Sequence, residues 1–128
     1  MTIGATDFGV GLDVDRTAGG TFSQFACVRV SSTAGAIIAT TTATQIAIGF
    51  AQEAATASGD LIRTRLSGTS LCIAQTTIAA NADLLGPTTT SGKIATQSST
   101  HYCAQPLFEE AAAADNLVPI FINIGENA

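Results

Sequence analysis

Short apolar runs separated by turn residues are the feature that most constrains the fold of this chain. In residues 61–66, for example, two arginines alternate with Ile, Thr and Leu, as expected for an extended strand with two different faces. Clusters of Gly, Ser, Thr and Pro interrupt the chain at residues 31–35, 67–69 and 86–92. Many short strands joined by turns are typical of all-β barrels and sandwiches. The pattern therefore predicts an all-β fold.

Three local patterns refine this prediction. Residues 67–69 (Ser-Gly-Thr) lie between two strand-like runs, so they predict a tight turn and a β-hairpin. Residues 53–62 are echoed by residues 110–118, and each copy reads as a small-residue turn, a Gly, Asp or Asn break and an apolar strand. The two copies overlap two alanine-rich segments, residues 51–58 and 109–114. Because they are too short to be stable alone, we expect them to form brief helical turns packed on the sheet. Pro119, in the last apolar run of residues 117–124, predicts an edge or a bulge.

The first 24 residues differ from the rest of the chain. They hold five glycines and no sustained periodicity, apart from alternating apolar side chains between Phe8 and Val14. Such a piece can add a strand to this domain or to the sheet edge of a partner. The sequence therefore predicts an extended N-terminal arm, residues 1–24, and a single β-rich domain, residues 25–128.

Charge is sparse in this chain, at 12% of residues, and the formal net charge is -5. The five Lys and Arg residues are scattered, which argues against a basic face that binds nucleic acid. Aromatic residues reach only 5%, so the core is thin, and we expect oligomerisation or binding to a larger surface to add stability. A weakly charged surface is also typical of one that faces another protein.

Features of secreted and membrane proteins are missing from the sequence. It has neither a long unbroken apolar run nor an N-terminal signal pattern, so we expect no membrane span and no secretion. The three cysteines, Cys27, Cys72 and Cys103, are odd in number and widely spaced. They predict buried free thiols in place of a disulfide framework, in keeping with synthesis in a reducing cytoplasm.

Candidate catalytic and metal-binding residues are few. Asp13 and Asp15 form a carboxylate pair without further oxygen ligands, which makes a poor cation site, and the adjacent acids at 109–110 suit the start of a helix. His101 and Cys103 share a strand face but supply only two zinc ligands, and a catalytic thiol there would need a lowered pKa. The nucleophile-elbow, phosphate-loop and dinucleotide-binding motifs are absent. We therefore expect no enzyme, no cofactor and no metal site.

The order of short motifs from Val28 to Ile124 resembles that of small capsid cement (head decoration) proteins of tailed phages. The motifs that carry the resemblance are residues 48–51 (Ile-Gly-Phe-Ala), 57–68 (with Gly-Asp at its third and fourth positions), 79–85, 91–94 (Ser-Gly-Lys-Ile) and 110–112, followed by an apolar terminal strand. Asn81 and the Asp115-Asn116 pair stand where the family pattern favours glycine, and both residue types tolerate a left-handed backbone.

The resemblance implies a compact β-tulip or barrel-like domain. Proteins of this kind commonly form homotrimers on the outer face of an icosahedral shell and clamp neighbouring major capsid protein subunits. The expected function is therefore that of a structural virion protein, made in the host cytoplasm, that binds the outer surface of an assembled phage capsid and stabilises it. The expected partners are the major capsid protein and further copies of this chain, without nucleic acid or membrane.

The expected capsid-interface residues are apolar side chains in or next to the N-terminal arm: Phe8, Val10, Leu12, Phe22 and Phe25. On this hypothesis, deletion of residues 1–20 abolishes shell binding and leaves the domain folded.

Two other functions are compatible with the sequence. A receptor- or carbohydrate-binding module of a phage fibre would need exposed aromatic platforms, for which Tyr102 and a few Phe are available. A small hydrolase or cysteine enzyme would depend on His101 or Cys103.

Overall fold

The protein is built from β-strands and the turns between them. The computed structural model describes residues 11–32, 35–79, 84–96, 101–107 and 113–126. The strands in chain order are β1 (Gly11–Ala18), β2 (Cys27–Val30), β3 (Ala36–Ala39), β4 (Gly49–Ala51), β5 (Leu61–Ile73), β6 (Leu85–Pro87), β7 (Ile94–Thr96), β8 (His101–Pro106) and β9 (Leu117–Glu126). These strands form one mixed sheet in the order β1-β3-β2-β4-β5-β9-β8-β6-β7. The described residues contain no helix, so the predicted all-β fold is confirmed.

The first five strands close into a small barrel. β1 pairs in parallel with β3 and antiparallel with β5, while β3, β2, β4 and β5 pair in that order. Closing the ring pairs strands that would otherwise be sheet edges open to aggregation. Every one of these strands contributes to the apolar cluster inside, which we call the barrel core: Ala18, Phe22, Ala26, Val28, Ile37, Ala39, Ala51, Ala55 and Ile62.

The second half of β5 begins another group of strands. It pairs with β9, which pairs with β8, and β6 then links β8 to β7. Ile94 of β7 forms a parallel bridge with Ala74, immediately after β5, so this group also returns to β5. Its apolar cluster, which we call the second core, consists of Cys27, Ala47, Phe50, Cys72, Ala74, Ile78, Leu85, Ile94, Cys103, Ala104, Val118, Ile120 and Ile122.

β2 and β4 separate the two cores because each is apolar on both faces. Cys27 and Phe50 belong to the second core, whereas the next residues along, Val28 and Ala51, belong to the barrel core. Successive side chains of a strand point to opposite faces, so these two strands are covered on both sides. Phe50 is among the largest fully buried side chains and joins the first half of the chain to the second core.

The predicted hairpin at residues 67–69 is wrong, since β5 runs unbroken from Leu61 to Ile73. Gly68 has a φ of 96°, in the left-handed region where glycine is strained least. It nevertheless pairs with Gly11 of β1 and with Ile122 of β9. A β-bulge just before it shifts the register between β1 and β5. The Ser-Gly-Thr sequence therefore bends a long strand and does not reverse it.

The predicted helical turn at residues 51–58 is not observed. The segment leaves β4 through bends and turns, and Ala55 forms an antiparallel bridge with Phe22. Its small side chains are used for close packing, since Ala51 and Ala55 both lie in the barrel core. Most of the second alanine-rich segment, residues 109–114, lies outside the described residues.

Residues 11–24, predicted to belong to an extended arm, are part of the sheet and its core. β1 lies between β3 and β5, and Phe22 is bridged to Ala55. The remainder of the predicted arm, residues 1–10, lies outside the described residues. Because β1 completes the barrel by pairing with β3 and β5, we expect a chain without residues 1–20 to lose this fold.

Candidate protein-binding surface

Asp13 ties β1 to β5. Its carboxylate accepts two hydrogen bonds from the guanidinium of buried Arg65, from Nε to Oδ1 at 2.6 Å and from Nη2 to Oδ2 at 2.8 Å. Arg63 Nε lies 3.6 Å from Oδ2. The hydrogen bonds from Arg65, helped by the charges of both arginines, hold the pKa of Asp13 below its ordinary value, although partial burial opposes them.

The Asp13–Arg65 pair bears on whether Asp13 and Asp15 together could bind a cation. The oxygens of Asp13 are engaged by arginines, and Asp15 is exposed to solvent. Across the described ranges, no group of three or more His, Cys, Asp and Glu side chains is placed to hold a metal ion. The role that the geometry gives Asp13 is to join two strands.

The three cysteines form a buried cluster of free thiols. Cys27 Sγ lies 3.8 Å from Cys103 Sγ, at hydrogen-bond distance for sulfur. This hydrogen bond and burial raise the pKa of the Cys103 thiol, and burial raises that of Cys72. A nucleophilic cysteine needs the opposite change, because the thiolate is the reactive form. The prediction of buried free thiols is confirmed.

An outward face of the sheet formed by β5, β9 and β8 is uncharged and mostly apolar. Six of its side chains lie in three opposite pairs: Thr69 and Phe121, Leu71 and Pro119, Ile73 and Leu117. They point away from the second core because the alternate residues, such as Cys72 and Ile120, are fully buried in it. Gln105 of β8 lies opposite Phe121 on its other side. We call these seven residues the outer face.

Two large side chains of the outer face are open to solvent. Leu117 is 52% exposed and Phe121 is 44% exposed, while the other three apolar members are half-buried. Leu107, which is 47% exposed, adjoins them, and its N–H donates to the Pro119 carbonyl oxygen at 3.0 Å. A contiguous apolar patch with no charged residue is typical of a surface that binds another protein.

The three predicted capsid-interface residues that the structure describes do not share one exposed surface. Leu12 of β1 is 57% exposed and available to a partner. Phe22 and Phe25 are each only 9% exposed, so their rings pack inside the domain and cannot anchor it to another protein. Phe8 and Val10 lie outside the described residues.

The sequence carried a signal for the outer face that the predictions above did not use. Residues 117–122 (Leu-Val-Pro-Ile-Phe-Ile) are apolar at odd and even positions alike, as are residues 71–73 (Leu-Cys-Ile). A strand with one solvated face alternates between apolar and polar residues. A strand that is apolar on both faces is typically packed against other parts of a protein on both sides. In the described part of the chain, the second core covers one face of β9 and the other is open.

Comparison with known proteins does not assign the chain to a family. No protein-family model matches it, and no curated protein matches it. Among the described residues there is also no helix with the length and apolar character needed to cross a membrane. The resemblance to phage cement proteins therefore rests on the motifs alone and stays a prediction.

Proposed function

We propose that this chain is a structural virion protein that binds the outer surface of an assembled phage capsid and stabilises it by bridging major capsid protein subunits. The outer face is the observation that supports this most, because it is a contiguous uncharged surface with Leu117 and Phe121 open to solvent. The order of motifs shared with phage cement proteins supports the same proposal.

The chemistry of the outer face suits a large protein partner. Covering the exposed parts of Leu117 and Phe121 contributes roughly 2–3 kcal/mol of apolar burial. Because no charged group on this face has to be stripped of water, little of that gain is offset by desolvation. The strand backbone holds these side chains in place before binding, which limits the entropy lost on docking.

Stabilisation of the shell then follows from mass action. A protein that binds the assembled shell and not its separated subunits shifts the equilibrium towards the shell. Three copies joined as a homotrimer present three outer faces at once, so each binding event raises the effective concentration for the next. This mechanism needs no chemical step.

The test is co-sedimentation of the purified protein with empty phage shells that lack a decoration protein, over a series of protein concentrations. We expect binding that saturates at a fixed number of copies per shell. The variant Phe121→Glu places a charge on the outer face, and we expect it to bind about tenfold more weakly or worse. Absence of saturable binding by the wild-type protein would overturn the proposal.

The matched control is Leu61→Glu, which introduces the same charge at another exposed apolar position. Leu61 is 64% exposed and begins β5 in the barrel half, outside the outer face. We expect this variant to bind shells as the wild type does. Equal weakening by both variants would remove the outer face as the docking surface and leave only a general effect of charge.

The homotrimer is tested separately by sedimentation equilibrium of the protein without shells. We expect a mass of three times the 12.9 kDa monomer. A monomeric mass at every concentration would exclude a preformed trimer. The co-sedimentation experiment with shells would still test capsid binding.

A further inference from the structure

An open cavity of about 470 Å³ lies between β2 and the loop that joins β3 to β4. Six residues line it: Arg29, Val30, Thr44, Gln45, Ile46 and Ile48. Arg29 is the one charged residue among them, and none of them is acidic. The cavity shares no residue with the outer face, so it is a separate feature of the surface.

The guanidinium of Arg29 is incompletely paired. Its Nη1 donates to the carbonyl oxygen of the adjacent Val30 at 3.2 Å. Its Nε is buried and has no hydrogen-bond partner. Within the described ranges, Arg63, Arg65 and Lys93 each form an ion pair with an aspartate, whereas Arg29 and Arg16 form none. A buried donor without an acceptor is costly, and an incoming anion would relieve that cost.

Three of the six lining residues, Val30, Ile46 and Ile48, are apolar, and the loop that carries two of them is fixed in position. Val30 and Ile46 stand on its rim, 46% and 62% exposed. The loop is held by its own hydrogen bonds, since Gln45 Oε1 accepts from the Thr41 N–H at 2.7 Å. The Ile48 N–H donates to a carbonyl oxygen of β2 at 2.9 Å, which fixes the other end of the loop. A cavity formed before the ligand arrives loses little entropy on binding.

We propose that this cavity is a binding site for a carboxylate carried on a short apolar group. The carboxylate pairs with the Arg29 guanidinium through charge-assisted hydrogen bonds, and the apolar part covers Val30 and Ile46. A neutral apolar ligand would leave the guanidinium unpaired, and a multiply charged anion would find a single cation among neutral side chains. The same chemistry is offered by a free organic acid and by a carboxylate of another protein.

The test uses the full chain and a matched pair of probes, 4-methylpentanoate and its neutral amide, 4-methylpentanamide. Each is titrated into ¹⁵N-labelled protein while the Arg29 side-chain Nε–H and the Val30 and Ile46 amide resonances are followed. We expect saturable shifts of these resonances with the carboxylate and none with the amide. No saturation with the carboxylate, or equal shifts with the amide, would overturn the proposal.

Variants identify the residues responsible. We expect Arg29→Gln to weaken carboxylate binding about tenfold or more. Ile46→Asp, at an exposed rim position that tolerates a polar side chain, should weaken it by like-charge repulsion. The control is Arg16→Gln, because Arg16 donates to the Gly35 carbonyl oxygen at 3.4 Å and does not line the cavity. Unchanged affinity in both Arg29→Gln and Ile46→Asp would overturn the assignment.

A second arm separates the two sources of carboxylate. If the source is a shell protein, Arg29→Gln weakens shell binding and saturating 4-methylpentanoate competes with it. If the source is a free organic acid, shell binding is the same with and without the acid. Either result is compatible with a carboxylate site. The titration with 4-methylpentanoate needs no shells. Its result therefore tests the carboxylate site even if the protein proves not to bind capsids.

Discussion

Asp13 joins β1 to β5 through an ion pair with a buried arginine. Its carboxylate meets the Arg65 guanidinium through two hydrogen bonds, and the Arg65 side chain is only 4% exposed. Asp13→Asn would remove the negative charge that accepts these two hydrogen bonds. We expect the variant to be less stable by about 1–3 kcal/mol at neutral pH. Chemical denaturation measures this difference, and Asp15→Asn, on the same strand and exposed, is the control.

The same pair makes the stability of the protein sensitive to acid. The pKa of Asp13 is lowered in the folded protein, so folding favours the ionised form. Its contribution is complete above the ordinary carboxyl pKa of about 3.9 and is lost as the pH falls through the lower folded value. The gap in unfolding free energy between wild type and Asp13→Asn should therefore shrink as the pH falls below about 4. A gap that stays constant with pH would contradict this account of the pair.

The buried thiols give another prediction at the scale of single residues. Burial and the Cys27–Cys103 hydrogen bond raise the pKa of Cys103, and burial raises that of Cys72, which keeps both in the unreactive thiol form. We expect iodoacetamide at mildly alkaline pH to leave the native protein unmodified and to label all three cysteines in denaturant. Mass spectrometry counts the labels. Rapid labelling of the native protein would mean that the second core opens readily.

At the scale of single elements, β5 is the strand that joins the two halves, and Gly68 is where it bends. A side chain at a φ of 96° is strained, so we expect Gly68→Ala to destabilise the protein by about 1–2 kcal/mol. Gly20→Ala is the matched control, because no atom lies within 4 Å of a Cβ built there. Urea denaturation of the two variants makes the comparison. Equal stabilities would show that the bend tolerates an ordinary residue.

The errors in predicting these elements have a common physical cause. A Ser-Gly-Thr sequence reports a local backbone preference, but Gly68 is paired on both sides, with Gly11 and Ile122, and long-range pairing decides the outcome. Alanine propensity likewise favoured a helix in residues 51–58, whereas the bridge from Ala55 to Phe22 draws that segment onto the barrel. The alternation of apolar and polar residues within a strand could be predicted because it depends on neighbours in sequence. The pairing of strands that are distant in sequence could not be predicted in this way.

The same distinction applies to the candidate surfaces. The apolar character of β9 was visible in residues 117–122, but which of its faces is covered depends on strands contributed by distant parts of the chain. Phe22 and Phe25 were equally visible as apolar residues near an arm, and only the folded structure shows that both are buried, Phe22 in the barrel core. Arg29 gave no sequence signal, because its cavity requires the loop before β4 to stand beside β2.

At the scale of the whole molecule, the barrel core and the second core share strand β5, and β2 and β4 lie between them. Neither half of the molecule is therefore independent of the other. Phe50 extends from β4, a barrel strand, into the second core and is fully buried there. We expect Phe50→Ala to cost about 3–5 kcal/mol and to destabilise both halves together. Tyr102 on β8 is the single tyrosine, so its fluorescence reports the second half while circular dichroism reports the whole chain. Two separate transitions would show that the halves unfold independently.

The N-terminus links the fold to the proposed function. Removal of residues 1–20 takes away β1, with its pairing to β3 and β5 and the Asp13–Arg65 ion pair, so we expect this truncation not to fold. Removal of residues 1–10 keeps every contact described for β1, and we expect a cooperative unfolding transition. Circular dichroism and urea denaturation distinguish the two proteins, and a folded 1–20 truncation would mean that the barrel closes without β1.

The shorter truncation also isolates the two predicted interface residues that the described structure does not include. Phe8 and Val10 are lost from it, while Leu12 and the outer face remain. If the outer face is the main docking surface, the truncated protein should bind shells within about threefold of the wild type, and Phe121→Glu in the same background should weaken binding about tenfold or more. If binding disappears on removing residues 1–10 alone, the N-terminal side chains carry the contact and the outer face has another partner.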